Sequence, residues 1–223
     1  MAKLAKILYS LLMLLLLLFC LKSESGQRAS SFEYQISPIS PQLENLMRQY
    51  TWHEGCPVPI EDLVYVKLSY WGFDHEKHYG ELIVNSAIVN DVVAIFKDLY
   101  EQKFPIERMQ LIETFKGDDH AAMLAGNTSA FNCRPIRESP QLFSQHSYGW
   151  AIDINPRLNP SVNGKFISPP NGRDYLDRSK SVPGMIVKND KTYEAFIKRG
   201  WHWGGVWAAP HDYQHFEKPL NTG

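Results

Sequence analysis

The sequence predicts an α+β domain built around a small antiparallel sheet, and three patterns indicate this. Residues 63–71 alternate like a half-buried strand, with one face formed by Val64, Val66, Leu68 and Tyr70. Apolar residues spaced four, three and four apart give the stripe of an amphipathic helix that ends before Pro105: Ile88, Val92, Ile95 and Leu99. Strands and helices do not alternate regularly along the chain, which favours α+β over α/β.

Three further segments complete the predicted organisation. Gln110 to Phe115 is predicted to be another strand. Residues 156–184 are dense in Pro, Gly, Asn and Asp, which predicts a long ordered surface loop of the kind that often shapes a binding site. A short helix follows, with Asp190 as its N-cap, Gly200 as its stop, and an inner face formed by Tyr193, Phe196 and Ile197.

The first 25 residues have the features of an export signal. Lys3 and Lys6 give a basic start, and residues 7–21 then run without a charge. That run is shorter than the ~20 residues of a transmembrane helix and fits the apolar region of a signal peptide. Cleavage before Gly26 is expected, and an uncleaved N-terminal anchor is the alternative. No other membrane segment is predicted, so we expect an exported protein, periplasmic, in the cell envelope or secreted.

The rest of the chain divides into an arm and one domain. Residues 26–50 are polar and carry two Ser-Pro pairs, which predicts a linker or N-terminal arm leading into a short helix near residues 43–50. Residues 51–223 then form one domain, expected to be a monomer. A formal net charge of −1 gives no basic face for nucleic acid. Cys56 and Cys133 either form one disulfide in an oxidising compartment or remain buried thiols.

A histidine and an aspartate that suit a metal ion lie seven residues apart in the segment 144–153. Catalytic zinc takes three protein ligands from imidazole nitrogens and carboxylate oxygens and keeps a fourth position open, so His146 and Asp153 are candidate ligands. Residues seven apart face opposite sides of a flat strand, so the chain must bend between them, and Gly149 permits the bend. The spacing alone does not distinguish a metal site from a solvated loop.

A second cluster, residues 211–217, offers a further ligand and more than one base. His215 is a candidate ligand, and Asp212, three residues before it, is a candidate general base. His211 could instead act as a ligand or as a donor to the transition state. Glu217 could be the base in place of Asp212, because it shares a strand face with His215. These alternatives remain open from the residues alone.

The two clusters and the aromatic segment between them carry three linked motifs. Ser144 to Asp153 is Ser-x-His-x-x-Gly-x-Ala-x-Asp, Gly200 to Trp207 is Gly-Trp-x-Trp-Gly-Gly-x-Trp, and Asp212 to Phe216 is Asp-Tyr-x-His-Phe. In this combination the chain resembles the VanY-type D-alanyl-D-alanine carboxypeptidase and L-alanyl-D-glutamate endopeptidase family. These metallopeptidases share a metal site with the lysostaphin-type enzymes and the hedgehog signalling domain. The likeness extends upstream to residues 127–134 and 55–59.

The resemblance implies a fold, a cofactor and a set of site residues. It implies a small antiparallel sheet flanked by helices, with Zn2+ at the mouth of a groove on the sheet, as in hedgehog-like domains. The zinc ligands of the family fall on His146, Asp153 and His215. Its general base falls on Asp212, and the basic residue that steadies the substrate carbonyl falls on Arg134. Both cysteines lie inside matched segments, which favours the disulfide.

These assignments predict a zinc metallopeptidase that hydrolyses peptide bonds in the stem peptides of peptidoglycan. Removal of a terminal D-alanine and cleavage of an internal L-alanyl-D-glutamate bond both fit the resemblance. For the carboxypeptidase, Arg137, Arg157 and Arg173 are candidate anchors of the free carboxylate. The rival hypothesis is a non-catalytic zinc domain that binds cell-wall peptide or a protein partner, which would keep the ligands and could lose the base.

Overall fold

The alternating segment predicted as a strand lies at the centre of a three-stranded antiparallel sheet. The computed structural model describes residues 31–136 and 139–220. The strands of this sheet, in spatial order, are β1 (Tyr34–Pro38), β2 (Leu63–Trp71) and β3 (Lys77–Asn85). Val66 and Leu68 are buried and Lys67 between them is exposed, as a period of two requires. The prediction of a strand over residues 63–71 is confirmed.

The amphipathic stripe of the sequence covers one face of this sheet. It lies on α2 (Val89–Glu101), where Val92, Ile95 and Leu99 are buried in the same apolar cluster as Val66. A short 3-10 turn, Ser86–Ile88, precedes the helix and is capped by the Asn85 side chain, which accepts a hydrogen bond from Ala87 N at 3.0 Å. The predicted helix and its end before Pro105 are confirmed.

The described part of the predicted arm contains regular structure. β1 pairs with β2, from Tyr34 opposite Leu68 to Pro38 opposite Val64. The helix expected at the end of the arm is α1 (Pro41–Tyr50), which is capped by Ser40 and buries Met47 in a second apolar cluster with Leu63 and Phe131. The described residues from Phe32 to Leu220 belong to one compact unit. The predicted export signal over residues 1–25 lies outside the described residues.

The predicted strand over residues 110–115 is wrong. Only Arg108–Met109 (β4) is extended, and it pairs in parallel with Asn127–Thr128 (β5). The Asn127 side chain then accepts a hydrogen bond from Gln110 N and donates one to Gln110 O, both at 2.9 Å. The Asn127 side chain therefore takes the backbone N–H and C=O of Gln110, which would otherwise have continued the pairing of β4 with β5. The chain turns instead into a 3-10 helix, Ile112–Phe115.

The long segment predicted as an ordered loop, residues 156–184, is more regular than expected. It contains the hairpin strands β9 (Ser161–Asn163) and β10 (Phe166–Ser168) and a 3-10 helix, Pro170–Tyr175. The Arg178 guanidinium fastens it from within by donating to the carbonyl of Leu158 at 2.9 Å and to Asn159 Oδ1 at 2.8 Å. β9 also pairs with β12 (His211–Asp212), so this segment holds one of the sequence clusters in place.

The two histidine clusters meet in a third small sheet with the strand order β11 (His202–Trp203), β13 (His215–Glu217), β8 (Ala151–Asp153). Its inner face packs on the predicted short helix α4 (Lys191–Ile197), where the rings of Phe196 and Phe216 stack with centroids 3.8 Å apart. Asp190 caps this helix by accepting a hydrogen bond from Tyr193 N at 2.7 Å. Gly200 ends it with φ +74°, so the predicted cap and stop are confirmed.

The remaining elements are α3 (Asp119–Leu124), β6 (Pro135–Ile136) and β7 (Ser139–Phe143). Small antiparallel sheets interspersed with helices confirm the α+β class, with the two-residue parallel pair β4–β5 as an addition. A disulfide joins Cys56 to Cys133, which decides between the two states left open by the sequence. Across residues 31–136 and 139–220, no helix combines the length and the apolar character that crossing a membrane requires.

Candidate metal centre

Two of the predicted ligands are direct neighbours across a pair of strands. His215 on β13 stands opposite Asp153 on β8, and cross-strand partners share a face of the sheet. Ile152 and Phe216, the next pair along, point to the other face and are completely buried in the core. Because side chains alternate along each strand, burial of this apolar pair directs Asp153 and His215 together to the opposite side.

The third predicted ligand arrives on a tight turn just before β8. His146 lies in a 3-10 helix, Gln145–Tyr148, whose N-cap Ser144 accepts a hydrogen bond from His146 N at 3.3 Å. The helix ends at Gly149, whose φ is +71°, and Gly149 O accepts a hydrogen bond from Asn85 N at 3.0 Å. The bend that the sequence required between His146 and Asp153 therefore occurs at the predicted glycine.

The donor atoms of the three residues form a nearly equilateral triangle. His146 Nε2 lies 3.2 Å from His215 Nδ1 and 3.2 Å from Asp153 Oδ1, and the remaining side, from His215 Nδ1 to Asp153 Oδ1, is 3.1 Å. All three residues are buried. Two donors of one tetrahedral ion with bonds of ~2.0–2.1 Å stand ~3.3 Å apart. The triangle therefore has the dimensions of one face of a tetrahedral metal site.

The outer nitrogen of each imidazole is already committed as a donor. His146 Nδ1–H donates to the carbonyl of Ala130 at 2.6 Å, and His215 Nε2–H donates to Glu217 Oε2 at 3.1 Å. Such partners fix the tautomer and orientation of metal-binding histidines. The inner nitrogens are left with lone pairs that face each other and a carboxylate oxygen, an arrangement that requires a positive charge among them.

The pKa shifts of His215 and Asp153 also indicate that a positive charge is favoured among the three donors. Burial disfavours the charged form of His215, but hydrogen bonds with Asp153 and Glu217 outweigh it and raise the pKa of His215 to about 10. Burial also works against ionisation of Asp153, yet the two histidines lower the pKa of this carboxyl well below its usual range. These shifts mark a place where a positive charge is favoured, and the two-imidazole, one-carboxylate donor set fits a divalent ion.

The predicted general base lies beside this triangle on β12. Asp212 is held by the pairing of β12 with β9, opposite Ser161. Its Oδ1 atom is buried and has no hydrogen-bond partner among the described residues. Burial, with the nearby charge of Asp153, raises the pKa of Asp212 to about 6. A carboxylate of raised pKa with a buried, unpartnered oxygen next to a ligand cluster is a candidate for proton transfer.

Arg134 is fixed close to the same carboxylate. Its backbone is clamped by Ser147, whose Oγ accepts from Arg134 N and donates to Arg134 O, both at 2.8 Å. Its guanidinium pairs with Asp119 at 3.0 Å, while the Nε atom is buried without a described partner. The positive charge of Arg134 acts to lower the pKa of Asp212, so the two side chains interact electrostatically.

The structure also locates the residues weighed as alternatives. Glu217 contacts the outer nitrogen of His215, so it stands behind the ligand rather than on the side of the three donors. The exposed ring of His211 stacks on Tyr213 with centroids 6.0 Å apart and does not join the triangle.

Of the three arginines considered as carboxylate anchors, Arg157 is paired with Glu107 at 2.9 Å. Arg173 is exposed on the 3-10 helix that follows β10. Arg137 lies outside the described residues.

One contact of the centre was not foreseen from the sequence, and for another the sequence offered three tryptophans without choosing among them. The carbonyl of Ala130 orients His146, and nothing in the identity of an alanine signals such a role. The ring of Trp207 lies 5.3 Å from that of His215, whereas Trp201 and Trp203 are buried in the core. In the sequence, Trp207 was marked only by its place in the aromatic motif. The motif did not show that Trp207 lies at the centre while Trp201 and Trp203 lie in the core.

Comparison with known proteins supports the resemblance seen in the motifs. Residues 137–218 match the family model described as D-alanyl-D-alanine carboxypeptidase, which is VanY-like. The matched segment contains His146, Asp153, Asp212 and His215 and begins after Arg134. No curated protein and no solved structure matches the chain significantly.

Proposed function

We propose that this protein is a zinc-dependent peptidase that hydrolyses peptide bonds in the stem peptides of peptidoglycan. One observation carries the proposal: two imidazole nitrogens and a carboxylate oxygen lie 3.1–3.2 Å apart, next to Asp212, whose Oδ1 atom is buried and has no described hydrogen-bond partner. The family match over residues 137–218 supplies the reaction class. The three donors suit an ion with an open fourth position, and the carboxylate of Asp212 suits a general base.

Zinc is the ion that this donor set favours. Two neutral imidazoles and one carboxylate are a common ligand set of catalytic zinc, whereas Mg2+ and Ca2+ prefer oxygen ligands throughout. His146, Asp153 and His215 would hold the ion, with Ala130 and Glu217 orienting the two rings. When bound there, the ion supplies Lewis acidity, which makes water more acidic and polarises the scissile carbonyl.

Asp212 is proposed to move the proton. In its ionised form, the carboxylate accepts a proton from the attacking water and passes it to the nitrogen of the leaving amine. The pKa of about 6 leaves most of this carboxylate ionised at neutral pH while keeping it basic enough to accept a proton. The burial that raises this pKa also removes competing hydrogen bonds, since Oδ1 has no described partner.

Arg134 is proposed to stabilise the charge that develops on the substrate. A guanidinium stays protonated and presents several N–H donors in a fixed plane, which suits a carbonyl oxygen that becomes negative. The Ser147 clamp on its backbone and the ion pair with Asp119 hold this side chain in place without reorganisation during the reaction. Trp207, beside His215, would form part of the wall of a groove for the peptide.

The setting proposed for this activity is outside the cytoplasm. A disulfide between Cys56 and Cys133 suits an oxidising compartment, and stem peptides lie in the cell envelope. We propose a monomer that acts there as a carboxypeptidase or as an endopeptidase. A groove on the sheet of the hedgehog type, with the ion at its mouth, is part of the same proposal.

Digestion of purified muropeptides, with and without a chelator, tests the proposal directly. The zinc-loaded protein should release products whose masses identify the bond that is cut, and chelation should abolish their release. Asp212→Asn should keep one zinc per chain and lose roughly 10²–10⁴-fold in rate. Asp174→Asn, a change at an exposed aspartate, is the matched control and should behave as the parent.

Three outcomes would contradict parts of this assignment. Hydrolysis by Asp212→Asn at the parent rate would show that Asp212 is not the base. Full zinc occupancy in His215→Ala would remove this residue from the ligand set. A zinc-loaded parent that binds muropeptides but never cleaves them would favour the rival function, a non-catalytic cell-wall-binding domain.

A further inference from the structure

A second cluster of metal-ligating side chains surrounds the disulfide. Within residues 31–136 and 139–220, His53, Cys56 and Cys133 are the other group whose donor atoms all lie within 4.8 Å of one another. Cys133 is buried, Cys56 is half-buried, and His53 is exposed to solvent. The disulfide joins the two sulfurs, so neither can act as a thiolate ligand while the bond is intact.

The ring of His53 is oriented in the manner of a metal ligand. Its Nδ1–H donates to the carbonyl of Glu54 at 2.8 Å, so the lone pair of the neutral ring is on Nε2. That Nε2 atom lies 3.7 Å from Cys133 Sγ. A backbone carbonyl that fixes the far nitrogen is the usual companion of a histidine bound to a metal ion.

The distance between His53 and Cys133 already suits a shared ion. With bonds of ~2.0–2.1 Å to nitrogen and ~2.3 Å to sulfur, a tetrahedral zinc ion sets nitrogen and sulfur about 3.6 Å apart. Two sulfur ligands of the same ion stand about 3.8 Å apart. The sulfurs of Cys56 and Cys133 must therefore separate before they can bind an ion together, and reduction of their bond allows this.

Cys56 is also placed to hold a negative charge after reduction. The backbone N–H of His53 donates to Cys56 Sγ at 3.2 Å. A hydrogen bond to a thiolate favours the charged form, which is the form that ligates metals. The segment from His53 to Cys56 thus offers an imidazole, a sulfur and a backbone donor to the sulfur within four consecutive residues.

We propose that reduction of the Cys56–Cys133 bond creates a second metal site, in which both thiolates and His53 Nε2 bind a thiophilic divalent ion such as Zn2+. A dithiol provides the two electrons and two protons. It is oxidised to its own disulfide while the protein bond becomes two thiols. Ion binding then releases the two thiol protons. Water completes the fourth position, since His53 faces solvent.

This site would preserve a tether that the disulfide provides in the oxidised protein. Cys133 N donates to the carbonyl of Thr51 at 3.0 Å, so the chain around Cys133 is packed along the segment 51–56. Arg134 follows directly and is held on its other side by Ser147. An ion between His53, Cys56 and Cys133 therefore keeps the position of Arg134 fixed when the covalent bond is lost. The inference is independent of the proposed hydrolysis.

Cobalt titration tests the site, because a thiolate ligand gives Co2+ a near-ultraviolet charge-transfer band that imidazole and carboxylate ligands do not give. The experiment uses the full-length chain with the substitution Cys20→Ser, so that Cys56 and Cys133 are the only cysteines in its sequence. Half of the sample is reduced with a water-soluble phosphine, which takes up oxygen from water as the two thiols form and does not compete as a dithiol would. The reduced protein should bind one more Co2+ per chain than the oxidised protein and show the band.

Two variants make the result specific. In the reduced state, His53→Ala should weaken binding of the additional Co2+ by at least about tenfold, because a ligand is lost. His120→Ala, which removes another exposed histidine, should leave it unchanged.

A reduced parent that shows no band overturns the proposal, whether or not it stays folded. An additional ion bound as tightly by His53→Ala also overturns it, because it would show two cysteines binding without the preformed imidazole. Neither outcome bears on hydrolysis by the oxidised enzyme.

Discussion

Substitution of Gly149 by alanine should destabilise the protein for two reasons: the positive φ of the bend and the lack of room for a Cβ atom. A Cβ at this position would lie 2.7 Å from Asn85 N and 3.2 Å from the carbonyl carbon of Val84. Both are backbone atoms of a paired strand, so they cannot move aside as the end of a flexible side chain can. Asn85 N also donates to Gly149 O at 3.0 Å, and any separation of the two segments weakens that bond.

The expected loss of stability has two parts. The left-handed conformation, with φ +71°, costs a residue other than glycine roughly 1–2 kcal/mol. Forcing a methyl group against packed backbone costs roughly another 1–3 kcal/mol. The sum is roughly 2–5 kcal/mol, or about 4–20 °C in the melting temperature of a domain of this size. Gly164→Ala isolates the first part, since Gly164 has φ +59° and a Cβ there would meet no atom within 4 Å.

The assay is urea unfolding of both variants and the parent, all oxidised and metal-free, followed by zinc titration of the folded proteins. Gly149→Ala should unfold at lower urea than Gly164→Ala by an amount equivalent to ~1–3 kcal/mol. It should also bind zinc more weakly, because the displaced turn carries His146. Equal losses in the two variants would refute the steric reasoning. Unchanged zinc affinity in a destabilised Gly149→Ala would refute the link between the bend and the candidate metal centre.

Three further predictions concern single side chains. Glu217→Ala should lower zinc affinity about 10–100-fold in chelator competition, because Glu217 orients the ring of His215. Glu217→Gln should lower it less, because the amide keeps an acceptor for His215. Zinc affinity equal to that of the parent in both variants would show that Glu217 does not orient this ligand. Burial raises the pKa of Glu113, so the protonated carboxyl stabilises the folded state at acid pH, and this stabilisation is lost as the pH rises through the raised pKa. Between acid and neutral pH, the urea midpoint of Glu113→Gln should therefore fall less than that of the parent. Phe216→Ala should cost roughly 3–5 kcal/mol in urea unfolding because its ring is fully buried against Phe196, and a loss under 1 kcal/mol would mean that the core refills the space.

The elements that the sequence predicted correctly are those with a strong local pattern. β2 and α2 follow from periods of two and of nearly four, because each must bury one face whatever the remainder of the chain does. The strand predicted over residues 110–115 failed because Asn127, distant in the chain, takes the hydrogen bonds that a strand would have used. The hairpin β9–β10 was missed because its three-residue strands are too short to show a period.

The sequence by itself determined which chemical groups are available to the candidate metal centre. The linked motifs and the family that they resemble singled out His146, Asp153, His215 and Asp212. A bend permitted by Gly149 was expected because two ligands seven residues apart cannot share a face of a flat strand.

Only the tertiary structure decided which nitrogen of each histidine faces the other donors, that Glu217 stands behind His215, and that His53 lies against the disulfide. These features depend on the direction of hydrogen bonds between atoms that the fold brings within about 3–4 Å. Residue spacing along a chain carries no record of such directions.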